Sequence, residues 1–406
     1  MIEIEKTIKE LCPDGVKYYS LNEIFNNFNG MTGVSNKWKE EGNCRFIEYM
    51  NAYKNLKIDV NQLPYATVKS LKQNCLKKGD ILLTSASETP DECAISSVIE
   101  DEIQDNIFLD DHLFGIRLKS EFEELINPSF VNYYMHSKMF RKATNKTVRG
   151  VTRFYISVND FMKIRIPVPP YKVQEKIVKI LDDFTQLINE LSLEHLARKK
   201  QFTYFEEKLL FNTEFEKVKL SDLCVVNQGL QIPINKRKLE PGENRYFYIT
   251  VQFLKGGNEN YYIENPQPSV ICNKDDILVT RTGSTGKIIT GVEGCFHNNF
   301  FKVEPNNKVL KRYLYFVLNS RIMYNRMLAA ASGGTVPDLP HKKFYNLEIF
   351  LPNIDEQKKI INILEKIYTI SNDTIEGLPA EIEKRQQQYE YYKDKLMSFK
   401  EVEVNE

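Results

Sequence analysis

The chain has 406 residues, enough for two or three domains with separate cores. With 42% hydrophobic and 27% charged residues, it has the composition of a folded protein and not of a disordered one. Lys+Arg and Asp+Glu both total 55, which counts against a non-specific nucleic-acid coat and leaves any such affinity to local patches.

Seven scattered cysteines, with no CxxC pair and no histidine at zinc spacing, fit a reducing cytosol better than a disulfide framework. Ile2–Lys9 alternates charge with apolar side chains, unlike a signal peptide. No apolar run approaches the roughly twenty residues of a membrane span. A soluble, cytoplasmic protein without membrane contact is expected.

Residues 1–168 read as a first globular domain. Its core block opens near Val16, with the entry Ser20-Leu21-Asn22-Glu23-Ile24 and then Gly30. Arg45-Phe46-Ile47-Glu48-Tyr49 is an aromatic strand candidate. Gly79-Asp80-Ile81-Leu82-Leu83-Thr84 is an apolar run behind turn formers, the pattern of a buried strand. His112–Ile116 follows, then a helix candidate at Pro128–Lys142, a polar loop from Asn145 to Arg153, and a strand at Ile164-Arg165-Ile166.

Residues 169–212 read as a long helix. Val173, Ile177, Ile180, Phe184, Ile188 and Leu191 recur at steps of three and four, which puts them on one stripe. Pro170 suits a first helical turn, where its missing N–H would have no partner. Forty residues span about 60 Å at about 1.5 Å each, a spacer with a seam for a partner helix. The stripe lapses around Ser192–Lys200.

Residues 213–351 repeat the first domain. Leu220-Ser221-Asp222-Leu223 and Gly229 match its entry, and Arg245-Tyr246-Phe247-Tyr248 its aromatic strand, whose rings read as core and not as a stacking platform. Asp275-Asp276-Ile277-Leu278-Val279-Thr280 matches the buried strand. Asn299–Val303, a helix candidate at Val309–Leu328, the loop Ser332–Val336 and Leu347-Glu348-Ile349 complete the series. Residues 352–406 then repeat the helix. Gln357, Ile360 and Leu364 match Gln174, Ile177 and Leu181 at one offset, and Ile360, Ile363, Ile367 and Ile370 repeat the stripe. Gln388, Tyr389, Tyr392 and Leu396 match Gln201, Phe202, Phe205 and Leu209 after a four-residue insertion near Gly377-Leu378-Pro379, close to one helical turn. The fold class expected is therefore α+β: two tandem α/β domains and two long helices paired as an antiparallel coiled coil.

Several motifs point to chemistry and fall short of it. Val168-Pro169-Pro170-Tyr171 resembles the tetrad of amino-methyltransferases, but that chemistry needs a polar first residue to hold the amine, and no Gly-rich cofactor loop accompanies it. Arg281-Thr282-Gly283-Ser284-Thr285-Gly286-Lys287 resembles a phosphate loop with too short a spacing and Ile288 where Ser or Thr should stand. Its amides could still hold a DNA phosphate, and a tight turn after a strand is the plain alternative. Asp110-Asp111-His112 is a weak triad or nuclease cue. No metal-ligand spacing is present.

The order domain, helix, domain, helix resembles the specificity subunits of type I restriction–modification enzymes, with a proline and then Gln, Ile and Ile-Leu at both helix starts. The likeness takes in Leu11-Cys12-Pro13-Asp14-Gly15-Val16, Gly79–Thr84 with Ser87-Glu88-Thr89-Pro90, Arg281–Lys287 and Tyr389–Met397. It implies a non-catalytic subunit whose two domains each read half of a split DNA target. The helices would fix the spacing and dock two modification subunits, which carry the S-adenosylmethionine; this chain itself would hold no cofactor. Restriction motor–nuclease subunits would join them.

Base and phosphate contacts need polar or cationic loop residues. In the first domain the candidates are Ser85, Ser87, Lys146, Arg149, Thr152 and Arg153. In the second they are Gln231, Lys236, Arg237, Arg281, Thr282, Ser284, Lys287 and Thr335. The alternatives are the recognition subunit of another restriction or methylation system, or a coiled-coil scaffold that binds no DNA.

Overall fold

Each half of the chain builds a strand pair and two four-stranded sheets, and the first half adds a three-stranded sheet in the order Val148–Gly150, Phe154–Ile156, Ala86–Ser87. The computed structural model describes residues 2–39, 41–103, 106–257, 260–333, 337–372 and 377–402. Two units emerge: Met1–Glu190 with Ile382–Glu406, and Leu191–Glu381.

In unit 1, Lys17–Ser20 pairs antiparallel with Arg165–Val168. A four-stranded sheet has the order Phe25–Asn29, Leu113–Leu118, Ile81–Thr84, Ser96–Val98. A second has the order Val34–Lys39, Tyr65–Val68, Cys44–Ile47, Ile107–Leu109, its last two strands parallel. In unit 2, Glu216–Lys219 pairs antiparallel with Glu348–Leu351. One four-stranded sheet runs Cys224–Gln228, Phe300–Pro305, Ile277–Thr280, Ile288–Ile289. The other runs Tyr262–Glu264, Arg245–Ile249, Gly294–Phe296, Ile271–Cys272, again with one parallel pair, Arg245–Ile249 beside Gly294–Phe296.

The physical causes are shared. Ile81–Thr84 and Ile277–Thr280 are buried at every position, as expected of central strands covered on both faces. Gly30 and Gly229 sit where chain crosses chain: a Cβ would lie 2.1 Å from the Asp110 carbonyl oxygen in one case and 2.2 Å from that of His297 in the other.

Both domain helix candidates are in fact broken in two. The first becomes Pro128–Met135 and Lys138–Asn145, the second Lys311–Asn319 and Arg321–Ala330. At each break a serine starts the new helix, Ser137 accepting from the Phe140 amide at 3.3 Å and Ser320 from the Met323 amide at 3.2 Å.

The central helix spans Tyr171–Leu210 without a break, with Pro170 just before it: the Pro170 carbonyl accepts from the Val173 and Gln174 amides. The C-terminal region, expected as a long helix over 352–406 that Pro379 breaks or kinks, is broken there. It forms Ile354–Asn372 and Leu378–Leu396, and Glu401 bridges to Val16 in unit 1. Pro379 explains the new start. It has no N–H to give and would clash with the carbonyl four residues back, so it is accommodated only in a first turn.

The helices pair antiparallel. In unit 2, His195 Nε2 lies 2.8 Å from the Ser371 carbonyl, and Phe202 meets Tyr368 at 5.7 Å, so rising numbers face falling ones. In unit 1, Phe184 packs on Tyr392 at 5.7 Å. Val173 and Ile177 are fully buried, and Ile180, Phe184 and Ile188 are half-buried along the seam. The stripe expected on the partner is misplaced in part. Ile360 is buried and Ile367 half-buried, but Ile363 and Ile370 are 41% and 44% exposed, while Gln357, Leu364 and Ser371 face inward. A buried glutamine fixes the rotation of this helix, and counting apolar residues does not register it.

Candidate nucleic-acid interface

Four stretches of unit 1 converge on a cleft of about 780 Å³. Tyr49 and Tyr53 come from the helix Tyr49–Lys54, and Ala86-Ser87-Glu88 with Glu92 from the loop after the buried strand. His112 comes from a tight turn. Thr152 and Arg153 form the tip of a hairpin, Val148–Gly150 paired with Phe154–Ile156. The expected polar loop at 145–153 is thus partly a hairpin, whose second strand also pairs with Ala86–Ser87.

Hydrogen bonds hold these pieces in place. Tyr49 Oη donates to the Ala86 carbonyl at 3.0 Å. Tyr53 Oη donates to Glu92 Oε1 at 2.7 Å, and Ser87 Oγ to Glu92 Oε2 at 2.9 Å. The Tyr53, Thr89 and Ser87 hydroxyls keep the Glu92 carboxyl below the usual range. Below the loop, buried Thr84 donates to the Glu92 carbonyl and accepts from the Ile95 amide, both at 3.0 Å.

Asp110, Asp111 and His112 are, among the described residues, the one acid and histidine group close enough to share a metal. Lys37 already answers their charge, with Nζ 3.1 Å from Asp110 and 2.6 Å from Asp111. Burial works against ionisation of Asp111, yet Lys37, Asp110 and His112 hold its carboxyl well below the usual range. Lys37 thus ties buried Asp110 and exposed Asp111 into one ion network, with His112 Nδ1 2.7 Å from Asp111.

Of the residues expected in this domain, the cleft gathers Ser87, Thr152 and Arg153. Ser85 is turned inward, its Oγ donating to the His112 carbonyl at 2.5 Å. Lys146 is exposed away from the cleft lining. Arg149 is tied locally to the Lys146 and Val148 carbonyls at 3.0 and 3.1 Å and faces Asp160 at 3.4 Å. Tyr49, Tyr53, Glu88, Glu92 and His112 were missed as site residues. Of these, Tyr49, Glu88 and His112 stood inside sequence motifs noted above for other reasons, whereas Tyr53 and Glu92 stood in none.

Unit 2 has the corresponding loop, and it is closed. The Arg281 amide donates to the Asn299 carbonyl as the Ser85 amide does to that of His112, so Arg281 takes the place of Ser85. Its guanidinium makes a two-pronged ion pair with Asp338 at 2.7 and 3.0 Å. That pair holds the Asp338 carboxyl below its ordinary range. Arg281 is thus engaged within its own unit, its guanidinium partly exposed beside Asp338.

The phosphate-loop resemblance fails for a related reason. The Gly286 amide donates to the Thr280 carbonyl and the Lys287 amide to Thr280 Oγ1, both at 2.8 Å. With these two amides turned inward, the tight-turn reading holds. Thr282 and Ser284 are half-buried and Lys287 is exposed.

Gln231 and Lys236 are exposed on the loop after Gly229, where Gln231 accepts from Asn298 at 3.3 Å. Arg237 is anchored: its Nε donates to the Ile232 carbonyl at 2.9 Å, and its guanidinium covers Tyr248 at 5.1 Å. Tyr248 itself is buried, as expected of a core ring, whereas Phe247 is half-buried and Tyr246 is exposed, against the reading of all three as core. Thr335 lies outside the described residues. The Pro169-Pro170 segment does line a shallow apolar groove of about 330 Å³, but Val168 offers no group to bind an amine.

Comparison with known proteins separates a scaffold from a DNA-reading chain. The family model described as the type I restriction modification DNA specificity domain matches residues 13–198 and again residues 212–384. The chain belongs to this specificity family. It is 35% identical over 272 residues to the type I restriction enzyme EcoR124I/EcoR124II specificity subunit of Escherichia coli, covering 62% of this chain and 67% of that one. A putative type I restriction enzyme specificity subunit of Haemophilus influenzae is 30% identical over 296 residues, covering 68% and 74%.

Among solved structures, the type I restriction–modification S subunit from M. genitalium superposes with a TM-score of 0.55 at 16% identity, over 94% of this chain and 96% of that one. A chain from work on complex assembly and conformational transition of the type I R-M system reaches 0.63 at 16% identity, over 95% and 98%. At such identity the likeness is one of fold. No helix among the described residues is long and apolar enough to cross a membrane.

Proposed function

We propose that this specificity-family chain is the non-catalytic DNA-reading subunit of a type I restriction–modification complex. Each unit reads one half of a bipartite double-stranded target. The central helix and its two C-terminal partners set the separation of the half-sites and dock two modification subunits. Those subunits bring the S-adenosylmethionine and methylate the target, and motor–nuclease subunits join for restriction. The complex works in the cytoplasm. The domain limits proposed are 1–168 and 213–351, with 169–212 and 352–406 as helical spacers.

The observation that carries this reading is the duplication itself. A strand pair with two four-stranded sheets, a serine-capped helix break and the same helix start occur twice, and the family model matches both copies. Two readers on one duplex must sit about one turn, roughly 34 Å, or a multiple apart, and paired helices hold such a register where a flexible linker would not.

The test is single-molecule methylation mapping of DNA from cells with this chain and its modification subunit, and from cells with the modification subunit alone. A bipartite methylated motif that vanishes with the chain is expected. No chain-dependent motif, with the modification subunit present and shown to be active, would overturn the reading.

A further inference from the structure

We propose that the unit 1 cleft reads a cytosine–guanine pair in the first half-site, Glu88 accepting from the cytosine N4 amine and Arg153 donating to guanine O6 and N7. This rests on the specificity reading above and names the base pair and the two residues that select it.

The cleft is built for an inserted base edge and not for backbone phosphate. Glu88 and Glu92 contribute two carboxylates against the single guanidinium of Arg153. A phosphate would meet net repulsion there, while an exocyclic amine would be drawn in. A carboxylate can only accept, and the amines displayed in the major groove are cytosine N4 and adenine N6. A guanidinium can only donate, and guanine alone sets two acceptors side by side for its fork. The base pair that offers both an amine and such a fork-matching edge is C·G.

The two carboxylates are not equivalent. Both Glu92 oxygens are engaged, one by Tyr53 and the other by Ser87, so Glu92 shapes the wall. Glu88 is exposed at the rim and is the one placed to reach outward. Arg153 is exposed on the hairpin tip, with its guanidinium 5.9 Å from the centre of the Tyr155 ring, which guides it without consuming its donors.

The hairpin also suits the groove. Its strand Phe154–Ile156 pairs with Ala86–Ser87 as well, so the base is anchored in a three-stranded sheet while the tip projects, with Val151 91% exposed. A projecting hairpin is narrow enough for the major groove of B-DNA. Gly150 sets the turn with φ +127°, and a Cβ there would come within 2.1 Å of the Arg153 carbonyl oxygen. A side chain at this position would therefore shift the backbone that carries Arg153.

Unit 2 supplies the contrast. There the position equivalent to Ser85, next to the cleft wall, holds Arg281 paired with Asp338.

The test has three arms. Methylation mapping with Glu88→Gln and with Arg153→Gln should relax one C·G position in one half of the motif and leave the other half intact. With the purified complex, 7-deazaguanine at that position should weaken binding about tenfold or more for the unaltered chain and not further for Arg153→Gln. If a variant methylates nothing, Arg153→Lys replaces it, keeping the charge and losing the fork; relaxation at the same pair supports the proposal. A motif without C·G in either half overturns it, as does an unchanged motif in the variants. Loss of any chain-dependent bipartite motif in the unaltered cells would instead sink the specificity reading, and this one with it.

Discussion

Gln174 and Gln357 make the same three hydrogen bonds, each within its own unit. Gln174 Oε1 accepts from the Asn127 amide at 2.8 Å, and its Nε2 donates to the Leu125 and Pro169 carbonyls at 2.8 and 2.7 Å. Gln357 Oε1 accepts from the Leu310 amide at 2.8 Å, and its Nε2 donates to the Lys308 and Pro352 carbonyls at 3.1 and 2.9 Å. Both side chains are fully buried. Each glutamine ties the start of a spacer helix to the loop that precedes a domain helix.

Replacing either glutamine by leucine would strand three backbone groups away from water. Each unsatisfied buried group costs about 1–3 kcal/mol, and partial relaxation leaves an expected loss of about 3 kcal/mol per variant. Hydrogen exchange followed separately in the two units should show Gln174→Leu loosening unit 1 and Gln357→Leu loosening unit 2. A change below about 0.5 kcal/mol would mean that water reaches these groups.

This pair also marks what the sequence could tell. Gln174 and Gln357 stood at one offset with Ile177 and Ile360, so the duplication, the order of strands and the helix starts were legible from local pattern. The rotation of the C-terminal helix was not, because it depends on where Gln357 finds its partners. That is why Leu364 is buried and Ile363 is not. The site was legible only in part for the same reason. Tyr53 meets Glu92 across 39 residues and Arg281 meets Asp338 across 57, and no local pattern announces such a pairing.

Arg281 should behave as a structural residue. Its pair with Asp338 is about one-third exposed on both sides, so losing it should cost no more than about 1 kcal/mol. Arg281→Ala and Asp338→Ala should each raise hydrogen exchange at Ser332 and Leu339, and the double variant should be little worse than either alone. The methylated motif should keep its bases in all three. A motif altered by Arg281→Ala but untouched by Asp338→Ala would return Arg281 to the role of base contact.

The two units should respond to pH in opposite directions. Burial lowers the His136 imidazole to about 4, with Lys393 and Arg141 adding to the effect and the Ser96 carbonyl opposing it. The native state thus excludes a proton that the unfolded chain binds near pH 6.5. Unit 1 is stable above that value and loses stability as pH falls toward 4. Burial raises the Glu206 carboxyl to about 7, helped by the charge of Glu207 and opposed by the Arg321 amide. Here the native state holds the proton. The contribution is complete below about pH 4.5 and is lost as pH rises through 7. Each shift has a ceiling on the order of 3 kcal/mol. Glu206→Gln should therefore stabilise unit 2 by about 2 kcal/mol at pH 8 and change little at pH 4.5, as read by hydrogen exchange. An equal effect at both pH values would show that packing, and not ionisation, is responsible.

The spacer role makes a geometric prediction. Four residues inserted after Glu190 add about 6 Å of helix at about 1.5 Å per residue, close to one full turn, so the seam stays in register. Four matching residues after Asn372 keep the antiparallel partner in step. Duplex DNA rises about 3.4 Å per base pair, so the unspecified gap between half-sites should lengthen by about two base pairs. Those two pairs also rotate the duplex by about 70°, against about 40° for the four helical residues, and the remaining 30° falls on DNA twist and on the helix pair. Methylation mapping should show both half-sites unchanged in base sequence and the gap longer, with somewhat slower methylation from the residual twist. An unchanged gap with full methylation would mean that the half-sites are separated by something other than these helices.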